Sequence, residues 1–490
     1  MNIKKEDDEP RVARRKKVKK FTEEQLKVRS DLEAKKIRKK HNINIKGGVD
    51  TAPIESFTEL FEKYNIDPRI VENVTKNYQL PTIIQMQAIP IMLEGRQIKA
   101  CAATGSGKTL AFLLPLIQGI INEPKSENTI KSIILVPTRE LATQILGEAV
   151  RMSIKTEVRS HIITNTNDKS MKDFWKKKTN ILICTPNRLS YFIKNSPEKF
   201  SLSAVKWIVI DEVDKLFEES RNSFQEDLDI ILKACSNPDK KFALFSATTT
   251  PVIAKWTIEN VKNYATVNIA ANSTINADKV IQELKFVGGE SGKIIAFREI
   301  INNGISPPVL IFVQSKDRAQ QLYQELAYDG INVDLIHSDR TQSERDIVVK
   351  KFREGKIWFL ICTELMSRGI DFKDVNLVIN FDFPQSQISY IHRVGRTGRA
   401  GKTGKAITFF TSDDKKYLRD IATIIKRSGG NIEQYMLSLK KSRKKDRMEI
   451  MKKAPKRKMI SQMPQLGEKE RKKIKFARKQ KAKTAKMQQD

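Results

Sequence analysis

Ala102-Ala103-Thr104-Gly105-Ser106-Gly107-Lys108-Thr109 gives the clearest chemical signal in the chain. It fits the spacing G-x-x-x-x-G-K-[ST], with Ala102 in the first glycine position. An apolar run, Ile98 to Ala102, precedes it, and the helix-like run Leu110-Ala111-Phe112-Leu113-Leu114 follows. Gly105 and Gly107 allow backbone N–H groups to converge on phosphate oxygens. The N-terminus of the following helix favours negative charge at the same point. Lys108 is then placed to reach the β- and γ-phosphates of a nucleotide, and the Thr109 hydroxyl to hold Mg²⁺. A ligand-free glycine turn is the alternative, but it has no use for Lys-Thr at its close.

A second piece lies about a hundred residues on. Trp207-Ile208-Val209-Ile210 reads as a buried strand, and Asp211-Glu212-Val213-Asp214 follows at its carboxyl end. Parallel sheets bind ligands outside the carboxyl ends of their strands. Asp211 there suits Mg²⁺ held partly through water, and Glu212 suits orientation or deprotonation of an attacking water. Acidic residues after a strand are more often a solvated loop or a cap. Paired with the Lys108 loop, they read as hydrolytic. A third piece is His392-Arg393-Val394-Gly395-Arg396-Thr397-Gly398-Arg399. Arg396 and Arg399 are three apart and share a face on a helix. Their guanidinium forks suit phosphate, so a neighbouring domain could present them as arginine fingers.

Those pieces need two scaffolds. The 490 residues allow two or three domains. Short apolar runs alternate with helical patterns from about residue 56 to 428. The first set is Ile98–Ala102, Ile133–Val136, Ile181–Cys184, Ile208–Ile210 and Ala243–Phe245. The second is Val309–Val313, Val333–Ile336, Trp358–Cys362, Leu377–Asn380 and Ala406–Phe410. Such alternation predicts βαβ units and parallel sheets. The expected layout is a basic arm at 1–50, a nucleotide-binding α/β domain at 51–270 and a linker at 271–278. A second α/β domain at 279–430 and a basic tail at 431–490 complete it.

The formal charge is +32. Residues 1–50 hold 17 Lys and Arg against 9 Asp and Glu, and residues 436–490 hold 21 against 5, so most of the excess sits at the ends. Such a field attracts polyanions. The cluster Arg14-Arg15-Lys16-Lys17-Val18-Lys19-Lys20 reads equally as a nuclear address, a nucleic-acid patch or a solvated tail. The N-terminal arm reads as frayed and partly helical, and the C-terminal tail as disordered or weakly helical when unbound. Cys101, Cys184, Cys235 and Cys362 are scattered, which suits reduced thiols and argues against zinc. Neither a secretory leader nor an apolar run long enough for a membrane span is expected.

Taken together, the motifs identify a family. Over roughly residues 56 to 430 the chain resembles the DEAD-box RNA helicases. Phe57 and Tyr78-Gln79-Leu80-Pro81-Thr82-Ile83-Ile84-Gln85 resemble the adenine-reading Q motif. The Lys108 loop, Pro137-Thr138-Arg139-Glu140-Leu141-Ala142, Thr185-Pro186-Asn187-Arg188, the Asp211 box and Ser246-Ala247-Thr248 follow in family order. The second half adds Ile311-Phe312-Val313-Gln314-Ser315, then Thr363 through Gly369 to Asp371, then the His392 to Arg399 segment. The resemblance implies two tandem RecA-like domains that close on ATP·Mg²⁺ and RNA. Gln85 would bond the adenine edge and Tyr78 would stack on its face. Asp371 would meet the ribose, and His392 would link the γ-phosphate side to Ser246 and Thr248. Pro137, Thr138, Arg139, Thr185, Arg188 and Thr363 would line the RNA path.

The chain departs from the family at Val213, where alanine is usual, and at Asn187, where glycine is usual and a left-handed backbone is expected. Ile83 replaces a proline and Glu364 an aspartate, and the glycine pair near Thr164 to Asn167 is absent. Gln85-Met86-Gln87-Ala88-Ile89-Pro90, Gly95-Arg96-Gln97 and Lys405-Ala406-Ile407-Thr408-Phe409-Phe410-Thr411 resemble the nucleolar branch that assists small-subunit ribosome assembly. That implies pre-ribosomal RNA as partner, a pre-ribosomal particle or protein activator beside it, and a nuclear, nucleolar location. An RNA clamp with little turnover and a DNA helicase are the rival readings.

Overall fold

The computed structural model describes residues 23–48, 50–123, 129–163, 178–195, 201–219, 223–269, 280–337, 339–363, 372, 375–398, 402–439, 457 and 459–460. Two sheets organise them, one from each half of the chain. In the first half the strands are β1 (Ile43–Lys46), β2 (Ile98–Cys101), β3 (Ser132–Leu135), β4 (Ser160–Ile162), β5 (Ile181–Cys184), β6 (Trp207–Ile210), β7 (Lys241–Ser246) and β8 (Ala265–Ile269). Their order across the sheet is β1-β8-β2-β7-β6-β3-β5-β4. Only β1 runs antiparallel to its neighbour, with Ile43 opposite Ile269. In the second half β9 (Val280–Phe286), β10 (Val309–Val313), β11 (Val333–Ile336), β12 (Phe359–Thr363), β13 (Leu377–Asn380) and β14 (Gly404–Phe410) form an all-parallel sheet. Its order is β11-β12-β10-β13-β14-β9.

The central strands are buried along their whole length, as the Ser132–Leu135, Ile181–Cys184 and Val309–Val313 patterns show. Helices cover both faces of a parallel sheet, so its strands read as continuous apolar runs. That is why these strands are legible in the sequence. The strands β1, β4, β8 and β9 are not, because they lie at or near sheet edges and mix polar with apolar residues. Each sheet is flanked by two apolar clusters, one on each face, with Phe112 and Phe245 in contact within one of the four.

The expected arms are only partly arms. Residues 23–40 form a helix and β1 extends the first sheet, so the folded unit begins well before residue 51. Arg38 fastens this piece by donating to Gln87 Oε1 at 3.0 Å and to the Thr51 carbonyl at 2.7 Å. Residues 1–22, the 271–278 linker and most of the C-terminal tail lie outside the described residues. Among those described, no helix is long and apolar enough to cross a membrane.

Val213 is fully buried inside the first-domain core. Asn187 sits in the helix Pro186–Asn195 rather than in a left-handed turn, and accepts a hydrogen bond from Thr185 Oγ1 at 2.8 Å.

Candidate active site

The strand order explains the site. β7 lies between β2 and β6, so Ser246 stands between the Lys108 loop and Asp211. The loop connects β2 to the helix Lys108–Ile121. Its last residue, Gly107, has φ +89°, and a Cβ there would stand 2.5 Å from Gln85 Nε2. Both the backbone and the close approach exclude a side chain. Lys108 is buried, and its ammonium donates to the carbonyls of Ala102 at 2.8 Å, Ala103 at 3.3 Å and Ser246 at 3.4 Å. The Ser246 carbonyl also accepts the Ala102 N–H at 3.1 Å.

Asp211 is 4% exposed. Burial pushes its carboxyl up to about 6, against the pull of the Lys108 ammonium. Glu212 has φ +51°, a left-handed conformation uncommon for a residue with a long side chain. Such strain concentrates where geometry serves a site. Its carboxylate accepts from the buried Lys215 ammonium at 2.8 Å. Burial raises the Glu212 carboxyl, but Lys215, His392 and Arg396 outweigh it and hold it at about 2. Glu212 is therefore ionised at neutral pH.

Asp214 organises the next turn. It accepts from the Ala247 N–H at 3.2 Å, the Thr248 N–H at 2.9 Å and the Thr248 hydroxyl at 2.8 Å. His392 Nε2 approaches it from the second domain at 3.4 Å, within ion-pair range but not aligned as a hydrogen bond. Burial holds the His392 imidazole below its usual value. The link from His392 to Thr248 thus runs through Asp214 rather than directly, and Ser246 contributes its carbonyl.

The second domain closes the site. Thr104 Oγ1 donates to the Gly395 carbonyl at 3.3 Å, and a Cβ on Gly395 would stand 2.2 Å from that hydroxyl. A cleft of ≈ 770 Å³ lies between the domains, and Tyr78, Gln85, Thr104, Gly105, Gly107, Lys108, Thr109, Asp211, Glu212 and Arg396 face it. Arg396 is buried, and its Nε donates to the His392 carbonyl at 3.3 Å.

One expectation comes out differently, and two cleft residues have partners within the chain. Phe57 is buried in the first-domain core, stacked on Phe61 at 6.0 Å, and does not line the cleft. Gln85 already uses both ends of its amide: its oxygen accepts the Thr82 N–H and its nitrogen donates to the Gly107 carbonyl, each at 2.9 Å. One N–H and one lone pair remain for a base. The Tyr78 hydroxyl is not isolated, since it donates to Glu148, which also accepts from Arg151. Gln144, Glu148 and Arg151 line the cleft without having been foreseen. Their spacing of four and three along the helix Arg139–Met152 puts them on one face, a signal the sequence does contain. Arg353, Asn376 and Lys402 of the second domain join them, with no comparable signal. Gly369, Asp371 and Arg399 lie outside the described residues.

Pro137, Thr138 and Arg139 follow β3, Thr185 and Arg188 follow β5, and Thr363 ends β12. Thr138 caps the helix Arg139–Met152 by accepting the Leu141 N–H at 3.3 Å. Burial lowers the Arg139 guanidinium further from its usual value, helped by the like charges of Arg188 and, across the domain boundary, Arg345. Arg345 pairs with Glu140 at 3.1 Å, bridging the two domains.

The comparisons agree with this geometry. Residues 82–256 match the DEAD/DEAH box helicase family, and residues 292–401 match the helicase conserved C-terminal domain. A Rattus norvegicus protein named "Probable ATP-dependent RNA helicase DDX52" is 45% identical over 449 residues, covering 91% of this chain and 75% of its own. The "ATP-dependent RNA helicase ROK1" of Meyerozyma guilliermondii is 37% identical over 453 residues, covering 91% and 83%. The structure of S. cerevisiae Dbp5 bound to RNA and ADP BeF3 superposes with a TM-score of 0.66 at 27% identity, covering 76% of this chain and 94% of that one. The chain belongs to the DEAD/DEAH box helicases and is an ATP-dependent RNA helicase, an RNA-dependent ATPase built on two RecA-like domains.

Proposed function

We propose that the enzyme hydrolyses ATP in the cleft between its domains and uses the closed state to part RNA strands in a pre-ribosomal particle of the small subunit. The observation that supports it most is that Lys108 and Glu212 of the first domain and Arg396 of the second line one cleft. In this reading the Gly105–Gly107 backbone and Lys108 hold the triphosphate. Glu212 takes a proton from the attacking water. Arg396 meets charge that develops on the phosphoryl oxygens, and it can do so only when the domains are together. Tyr78 offers a ring to the base, and Gln85 its remaining donor and acceptor.

The residues also fit Mg²⁺. Asp211 is a buried carboxylate next to the Lys108 ammonium, and Thr109 faces the same cleft. Together they would hold the ion, Asp211 partly through water, and it would supply positive charge to offset that of the phosphates.

RNA would run past Thr138, Arg139, Thr185, Arg188 and Thr363. Hydroxyls and guanidinium groups there suit a sugar-phosphate strand without reading its bases. The pre-ribosomal assignment, with a nucleolar location, rests on the sequence resemblance and on the basic ends of a +32 chain. Two measurements test the reading. ATPase stimulation by RNA should exceed that by DNA of equal length; equal stimulation would favour a DNA helicase, and none would favour a clamp. Crosslinking and sequencing of bound RNA should return pre-ribosomal RNA, and its absence would remove the small-subunit assignment.

A further inference from the structure

A second buried charge cluster lies at the carboxyl ends of the second sheet, away from the cleft. Gln314 follows β10, Asp382 follows β13, Asp414 follows β14, and Glu290 opens the helix after β9. Asp382 is fully buried and accepts from Lys293 at 2.8 Å and from Arg318 at 2.6 and 2.7 Å. Into this cluster reaches Arg457, a residue of the tail read from sequence as disordered or weakly helical when unbound. Its NH2 donates to Asp414 at 2.8 Å, its NH1 to Glu290 at 3.2 Å, and its Nε to the Gln314 side chain at 2.8 Å. The Nε also lies 3.8 Å from Asp382. The Arg457 side chain is only 5% exposed. Three residues on, Ile460 is buried in the second-domain core, and its N–H donates to Gln321 at 3.1 Å. Both the charge and the apolar side chain are seated, so the contact is a docked segment.

The tail supplies the cation that pairs with Asp414. Glu290, Asp382 and Asp414 face Lys293, Arg318 and Arg457. Removing Arg457 leaves a buried carboxylate without its cation, which is strongly unfavourable. The cluster also touches the catalytic side. The Asp382 carbonyl accepts from Arg393 NH1 at 2.9 Å, and Arg393 sits in the last turn of the helix Gln387–Val394 that leads to Arg396. One guanidinium fork thus binds groups following β10 and β14, and a third at the helix after β9. Its Nε lies 3.8 Å from the carboxylate of Asp382, whose backbone carbonyl accepts from Arg393 just before the helix ends at Val394 and gives way to the Arg396 turn.

We propose that Arg457 is a positioning residue for ATP hydrolysis, docked from the tail to fix the helix that presents Arg396 to the nucleotide. A merely stabilising role would lower the unfolding temperature and leave turnover by the folded enzyme unchanged. In the full chain, Arg457→Ala should lower the kcat of RNA-stimulated ATPase about tenfold, well below its unfolding temperature. The KM for ATP and the affinity for RNA should hardly change. Arg457→Lys should stay impaired, because a point charge cannot make the three directed bonds of the fork. Guanidinium chloride at a few millimolar should restore part of the lost turnover in Arg457→Ala and not accelerate the unsubstituted enzyme. Turnover like that of the unsubstituted enzyme in folded Arg457→Ala, or a loss that guanidinium leaves untouched, would overturn the proposal.

Discussion

At the scale of single residues, the first-domain site depends on groups that nothing nearby can replace. Lys108 is the buried cation at the root of the phosphate loop, and Glu212 is the ionised carboxylate opposite Arg396. Lys108→Ala and Glu212→Gln should each lower RNA-stimulated ATPase by about a hundredfold or more, the usual loss for an acid–base or phosphate-binding group. Glu212→Gln should still bind ATP and RNA together, because it keeps the size of the side chain. Filter binding with an ATP analogue checks this, and normal turnover in either variant would refute the mechanism. Gly107→Ala makes a sharper prediction. With φ at +89° and Gln85 Nε2 in the way, a methyl should cost about 1–3 kcal/mol locally. Nucleotide affinity should fall in calorimetry while the far-ultraviolet spectrum stays unchanged.

At the scale of elements, the ends of the chain contribute to the fold as well as to its charge. β1 covers the edge of β8, and Ile43 is buried there. Burying that isoleucine alone contributes about 2 kcal/mol. A chain of residues 50–435 lacks β1 and Arg457, whereas one of residues 23–460 keeps both. The shorter chain should unfold at clearly lower urea and turn over more slowly; matching urea midpoints would show that the edge strand adds nothing. The basic arms were legible as charge because charge is a property of composition. The docking of β1 and Arg457 was not, because Ile-Asn-Ile-Lys is too short and mixed to announce a strand. An arginine among lysines likewise does not reveal buried acidic partners 43 and 167 residues earlier.

At the scale of the whole molecule, the proposed mechanism requires both ligands to favour the closed form. The domains touch through Thr104 and Gly395, His392 and Asp214, and Arg345 and Glu140. A ligand that binds the closed form better must tighten the other ligand by the same factor. RNA affinity should therefore rise with a non-hydrolysable ATP analogue, and equal affinities would contradict closure. Arg345→Ala should weaken this coupling by about 1 kcal/mol, since its pair with Glu140 is only partly exposed. Arg396→Ala should instead lower turnover with little change in ATP affinity measured without RNA. Shifts in RNA affinity titrations with and without the analogue distinguish the two variants.

The sequence by itself determined the chemistry and the order of its parts. The Lys108 loop, the Asp211-Glu212 pair and the Arg396 segment are local patterns, and fully buried parallel strands are apolar along their whole length. Only the tertiary structure decided which groups meet. Placing β7 between β2 and β6 puts the Ser246 carbonyl on Lys108. It also decided that Gln85 braces Gly107, that Phe57 turns into the core, that Tyr78 pairs with Glu148, and that Arg457 enters the second domain. Residue type fixes what a side chain can bond, but its partner is chosen by packing between segments far apart in the chain, where no local pattern records the choice.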